Sequence, residues 1–421
     1  MARLKGFQKL VPVDEALERF LHATEFKPKK VTLRMQLALN YVSAEDIMAG
    51  TDLPRTDRSA VDGYAVDDEE TEEASQTKPK IFELTDSKAI GKSQAKQVWT
   101  GNSLPKGANA VVMLENTKIV GNRVEVWSPT TRWENVSRRG EDIQKGEIAI
   151  EAGTRFKPQH LALAAALGVS EVKVFKKPMI AVLATGNELA ELGAKLQENQ
   201  IFESNGLVLS ALCVELGAAP LDLGIAKDDV DEIAEKLKIG LEKADAIITS
   251  GGTSVGAPDL VPEAVNALGK PGVIAHGVAM RPGMPTALAI VRSKPIIVLP
   301  GNPVAAMLGF EVFGRPLISR MLGLKRVESR PVLKAKITKR IATTLGRKNL
   351  VRVRVFEKND DFLAEPVSAR GSGLFSTMTK SNGYVIVPEN LEGLEEGDIV
   401  SVHMFDNLGV IGEDVQKTVI A

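Results

Sequence analysis

The sequence predicts a multidomain α/β and β protein, with a doubly wound parallel-sheet α/β domain at its centre and β-rich modules around it. Three observations carry this. Between residues 179 and 323 apolar runs of strand length alternate with helical segments. Before and after that stretch, short apolar runs are cut by turn residues. At 421 residues the chain also exceeds what one hydrophobic core holds. Hydrophobic residues at 44% and charged ones at 25% are ordinary for a globular protein. The 53 lysines and arginines nearly cancel 54 acids, so no general nucleic-acid binding is expected and any anion site must be local.

Residues 12–24 should form a helix, with Pro12 and Asp14 near its start and Val13, Ala16, Leu17, Phe20 and Leu21 on one face. From 48 to 138, runs such as AVVML and VEVW separated by SLPKGAN and VGNR predict a small β-rich module. PQHLALAAALG predicts a second helix, with Pro158 at its start and Gly168 past its end. MIAVLAT, helices from Ser204 and Asp228, DAIITS, a helix from about Asp259, IIVLP and a helix ending before Gly323 then follow as strands and crossovers of a parallel sheet. After 330, VLKAKITKRI, LVRVRVFEK and GYVIVPE alternate with period two and no helical pattern, which fits a barrel or sandwich. Cys213 lies in the apolar run LVLSALCVELG and is expected as a buried structural thiol. His22, His160, His276 and His403 have no metal-ligand spacing and are expected as structural or surface residues. The longest apolar patch, LALAAALGV, is too short to cross a bilayer, and the N-terminus lacks an apolar signal core, so a cytoplasmic location is expected.

In an open parallel sheet, ligands bind beyond the carboxyl ends of the strands. Four polar segments fall there: TGNEL (185–189), GGTSVGAPD (251–259), RPGMPT (281–286) and GNPV (301–304). GGTSVGAPD reads either as a backbone nest for an oxyanion or as a strand-to-helix turn in which Asp259 favours the first helical turn. It lacks the Lys-Ser/Thr ending of a P-loop and the dinucleotide glycine spacing. Asp228 is a plausible helix cap and Glu188 a plausible first-turn acid. PGNPV alone is a stiff turn opening a helix at Pro303, whereas Arg281 on a rigid loop is an anion-binding candidate. RTDRSAVDGYAV (55–66), taken alone, is a polar turn ahead of a strand.

Taken in order, SAVDGYAV, WTGNSLPKGANAVVM, RRGEDIQKGE, TGNEL, SGGTSVG, RPGMP, LPGNPV and SARGSGLFSTMTKSNGYVIVP resemble the molybdopterin molybdenumtransferase family, MoeA and the E domain of gephyrin, over nearly the full length. The resemblance implies an N-terminal α+β domain (1–47 with 139–178) interrupted by an inserted β-rich domain (48–138). An α/β domain of molybdopterin-binding type (179–326) and a C-terminal β-barrel (327–421) would follow. It also implies insertion of molybdate or tungstate into adenylated molybdopterin with release of AMP, assisted by Mg²⁺, in a homodimer whose active site lies between subunits. The upstream adenylyltransferase is an implied partner, and no nucleic acid or membrane is. An adenylyltransferase-like enzyme, or a scaffold paralogue that binds without turnover, are the alternatives.

By motif, the resemblance assigns catalytic roles to Asp62, Thr100, Asp142, Glu188, Asp228 and Asp259, with Glu188 and Asp259 holding the metal. Substrate binding falls to Ser59, Asn205, Gly251, Gly252, Ser254, Gly256, Arg281, Pro300, Asn302 and Pro303. The chain departs from the family pattern where Lys-Pro-Gly-Lys-Pro becomes Arg281 to Pro285 with Met284 inside, which removes one cation. It departs also at Thr56, Arg58, Asn187, Gly256 and Ala257, and Arg58 is expected to restore the missing charge.

Overall fold

The computed structural model describes residues 10–252, 259–367, 373–405 and 411–412. The chain divides into two compact units, residues 32–174 and a discontinuous unit of residues 1–31 with 175–421. The first helix, α1 (Val13–Ala23), belongs to the discontinuous unit and buries Val13, Ala16 and Phe20. Asp14 and Glu15 face the positive end of its dipole, and Asp14 also receives Lys348 Nζ at 2.7 Å.

The 32–174 unit is organised on a six-stranded sheet: β1 (Gly63–Val66), β2 (Lys80–Leu84), β3 (Gln94–Val98), β4 (Ala110–Met113), β5 (Thr117–Val120) and β6 (Arg123–Val126). Its order is β4-β1-β3-β2-β6-β5, with β2 and β3 parallel and every other pair antiparallel. Tyr64, Val66, Phe82, Ala95, Val112, Val124 and Val126 fill one core. Gly63 lies so close to β4 that a Cβ there would run into the Val112 carbonyl, so its missing side chain serves strand packing. The helix α2 (Pro158–Ala166) starts at its proline, as the sequence predicts.

In the discontinuous unit, β7 (Met179–Thr185), α3 (Asn205–Leu216), β8 (Ala219–Ala226), α4 (Val230–Lys243), β9 (Ala246–Ser250), α5 (Leu260–Leu268), β10 (Pro271–His276), β11 (Ala287–Val291), β12 (Lys294–Leu299), α6 (Pro303–Gly309) and α7 (Arg315–Met321) build the α/β domain. The sheet order is β8-β7-β9-β12-β11-β10. The first four strands are parallel, and β11 runs antiparallel to both neighbours. It follows that β10 points the same way as the parallel strands and delivers the segment after it to the carboxyl edge. Helices α4 and α5 pack on each other, as α3 packs on α6 and α7, which gives the two layers of a doubly wound fold. Ile233, Leu237 and Leu241 of α4 are buried, as its apolar stripe requires. The cap of α4 is Asp229, whose carboxylate accepts from Glu232 N–H at 2.9 Å, and not Asp228, which bonds to Asn187 instead.

Five strands close into the C-terminal barrel: β13 (Val332–Ile337), β14 (Lys348–Lys358), β15 (Asp361–Pro366), β16 (Gly383–Val387) and β17 (Ile399–Met404). Each pairs with two others in the ring β14-β15-β13-β17-β16-β14, so the barrel rather than the sandwich forms. One helical turn, Ser376–Thr379, interrupts the β pattern, and four residues are too few to show a helical period in sequence. Among the described residues no helix is long and apolar enough to cross a membrane.

A π-helical turn, Phe310–Gly314, joins α6 to α7 and carries the buried Glu311. Its carboxylate accepts from Arg315 Nε at 2.7 Å and Arg330 Nη2 at 2.7 Å. Arg330 also donates to Glu215 Oε1 at 2.7 Å and to the Phe405 carbonyl, which ties the helices to the end of β17.

Candidate functional site

The carboxyl edge of the sheet is level across its centre, since Ala184, Ser250 and Leu299 stand beside one another in register. Gly251 follows β9 at φ 98°, and its N–H returns to the Leu299 carbonyl at 3.0 Å. A Cβ at Gly251 would run into the Thr185 carbonyl, so only glycine fits this close turn. Gly252 continues the turn, and the Thr185 hydroxyl lies beneath both, buried and, among the described residues, without a hydrogen-bond partner. Ser254 and Gly256 lie outside the described residues. Asn205, at the start of α3, donates from Nδ2 to Ser250 Oγ and to the Gly301 carbonyl, both at 2.8 Å. This bond pair locks the LPGNPV turn against β9.

Asn187 and Asp228 bind one another reciprocally: Asn187 N–H donates to Asp228 Oδ2 at 3.2 Å, and Asp228 N–H donates to Asn187 Oδ1 at 3.1 Å. Asn187 therefore accepts what a carboxylate would accept, without adding a second negative charge beside Asp228. Asp259 precedes α5 but makes no capping bond, so its placement there is not explained by capping. Its carboxylate lies 3.8 Å from His276 Nε2. Burial lowers the pKa of His276, and the nearby Asp259 charge acts the other way. His276 thus stands beside a candidate metal ligand, a role the scattered histidine spacing did not signal.

A cleft of about 930 Å³ opens between this edge and the barrel, lined by Glu188, Arg281, Met284, Pro300, Asn302 and Pro303 from the α/β domain and by Arg347 and Arg352 from the barrel. Arg281 is fixed by Nη1 donating to Thr344 Oγ1 at 2.9 Å, and Met280–Arg281 pairs in parallel with Lys348–Asn349 of β14. Arg352 is buried, which pulls its pKa below the ordinary value. Among the described residues, three arginines and one carboxylate therefore line this cleft. Arg347 and Arg352 of the barrel line the cleft together with Met284, and Arg58 is an exposed residue of the 32–174 unit.

In the 32–174 unit Asp62 and Thr100 form a second constellation. Thr100 donates from both its N–H and its hydroxyl to Asp62 Oδ1, each at 2.8 Å. These bonds, the backbone one foremost, hold the Asp62 carboxyl below the usual range. Ser59 is buried and bonds to the Val61 carbonyl, while its own carbonyl receives Gly101 N–H at 2.8 Å. Asp142 is exposed on a separate turn, anchored by its N–H to the Leu53 carbonyl at 3.0 Å. That turn is shaped by Asp52, which receives Arg139 Nε at 2.6 Å and Lys145 N–H at 2.8 Å. No sequence motif singled out Asp52.

A parallel sheet with a glycine turn and an arginine-lined cleft at its carboxyl edge defines an oxyanion- or phosphate-binding α/β protein. Comparison with known proteins makes this specific. Residues 11–168 match the MoeA N-terminal region (domains I and II), residues 181–320 a probable molybdopterin-binding domain, and residues 334–405 the MoeA C-terminal region (domain IV). A molybdopterin molybdenumtransferase of Bacillus subtilis is 35% identical over 406 residues, 93% of each chain. Its Staphylococcus aureus counterpart is 33% identical over 403 residues, 93% of this chain and 95% of that one. The crystal structure of a molybdopterin biosynthesis MoeA protein from Pyrococcus horikoshii OT3 superposes with a TM-score of 0.81 at 28% identity, covering 94% of this chain and all of that one. The chain belongs to the MoeA family.

Proposed function

We propose that the protein is a transferase of molybdenum cofactor biosynthesis that inserts molybdate, or tungstate, into adenylated molybdopterin and releases AMP. The observation that carries this reading is the cleft of Arg281, Arg347 and Arg352 facing Glu188. An oxyanion and a phosphate both need fixed positive charge, and arginine forks meet tetrahedral oxygens in pairs. The Gly251–Gly252 turn brings close backbone to the same carboxyl edge of the sheet. Glu188 and Asp259 offer the hard oxygen ligands that suit Mg²⁺, a cation usually held by one or two carboxylates and substrate phosphates. Such an ion would neutralise charge on the phosphate being cleaved. Asp62, ionised under conditions where ordinary carboxylates still hold a proton, keeps Oδ2 to accept a proton or hydrogen bond while Thr100 occupies Oδ1.

The same reading has the protein working in the cytoplasm as a homodimer with a site completed by both subunits. Support for self-association comes from α3, where Leu207, Ala211 and Val214 form an exposed apolar stripe near exposed Ile201 and Phe202. The test of function is incubation with adenylated molybdopterin, Mg²⁺ and either molybdate or tungstate, following AMP. Release that depends on the oxyanion is the expected result; its absence with both oxyanions would end the reading.

A further inference from the structure

Trp99 is 51% exposed, and the other two tryptophans, Trp127 and Trp133, are both more enclosed. A half-exposed tryptophan on a rigid turn is a costly surface unless a ring or apolar group covers it in the working state. The turn is rigid: Trp99 N–H donates to Asn102 Oδ1 at 3.1 Å, and Asn102 N–H returns to the Trp99 carbonyl at 2.8 Å. The strand register, with Val98 opposite Gly63, sets Trp99 opposite Asp62, and Thr100 fixes the Asp62 carboxylate. An aromatic platform and an oriented carboxylate therefore stand side by side at one strand end.

We propose that Trp99 stacks on a flat heteroaromatic ring of the ligand that Asp62 and Thr100 serve. This rests on the functional reading above and adds a recognition element to it. A ring with N–H groups suits the site, since it can lie on the indole while donating to Asp62. The adenylated substrate carries two such rings, adenine and pterin, and the experiment separates them.

Tryptophan emission of the full-length protein is titrated with AMP and, separately, with pterin-6-carboxylate. Saturable quenching by one of them is expected, and it should vanish in Trp99→Phe. Calorimetry of that same ligand should show Trp99→Phe binding within about threefold of wild type and Trp99→Ala about tenfold weaker, as loss of one stacked ring predicts. A thermal melt of Trp99→Ala matching wild type confirms that the fold is intact. The proposal is overturned if neither ring quenches, if Trp99→Ala binds as wild type does, or if emission responds only to protein dilution, which would make Trp99 a subunit contact. The binding assay needs no turnover, so its failure is distinguishable from a failure of AMP release.

Discussion

Two groups of arginines and carboxylates lie in the same unit and are built oppositely. Around Glu311, two arginines and two glutamates are bonded into a closed set at 2.7–3.5 Å. Among the described residues of the cleft, three arginines share the lining with one carboxylate, Glu188. The first group spends its charge on itself and fastens Arg330, in the segment before β13, to the π-helical turn and to the end of β17. The second, over the described lining, sets more arginines than carboxylates around an open space that an anion can enter. A balanced set reads as a fastening, whereas an unbalanced one reads as a site.

Breaking the closed set should have the largest effect. Glu311→Ala leaves Arg315 and Arg330 buried without their shared acceptor and is expected to destabilise the fold by about 3–5 kcal/mol, measured by chemical denaturation. Burial alone would push the Glu311 carboxyl up, but the bonds from Arg315 and Arg330 outweigh it and hold the carboxyl below its usual range. A depressed carboxylate contributes stability above its unfolded value of about 4.3 and loses it as pH falls through the lower folded value. Wild-type stability should therefore decline in acid, and Glu311→Gln should flatten that decline.

Arg347→Ala tests the unbalanced set. It should raise the half-saturating molybdate concentration about tenfold in the AMP-release assay, with an unchanged melting temperature, because a charged hydrogen bond to the anion is lost. An equally large loss of stability would place Arg347 with the fastenings instead. The smallest effect is expected from Thr100→Val, which removes one of the two bonds on Asp62 Oδ1. The Asp62 pKa should rise, so the acid limb of the kcat/KM profile should move to higher pH while activity at neutral pH is little changed.

Much of the fold is readable because of how its strands are buried. The parallel strands of the α/β domain are covered on both faces, so they appear as unbroken apolar runs. The cleft arginines from the barrel are hidden for the converse reason. In LVRVRV the period-two alternation assigns arginines to solvent, yet Arg352 is 5% exposed and lines the cleft. Asp228 and Asp229 are adjacent and chemically identical, so sequence could not say which one caps α4 and which pairs with Asn187. Glu311 is hidden within the apolar run LGFEVFG, where its partners Arg315, one turn on, and Arg330, from the segment before β13, make it tolerable.

The pairing of Met280–Arg281 with β14 has a consequence for motion. Arg281 belongs by sequence to the α/β domain, but its backbone runs alongside Lys348–Asn349 and its guanidinium is bonded to Thr344. Arg281 is thus a passenger of the barrel. Should the cleft widen to admit a large substrate, its three cations would travel together, and the doorway could open without diluting the charge that draws the anion in.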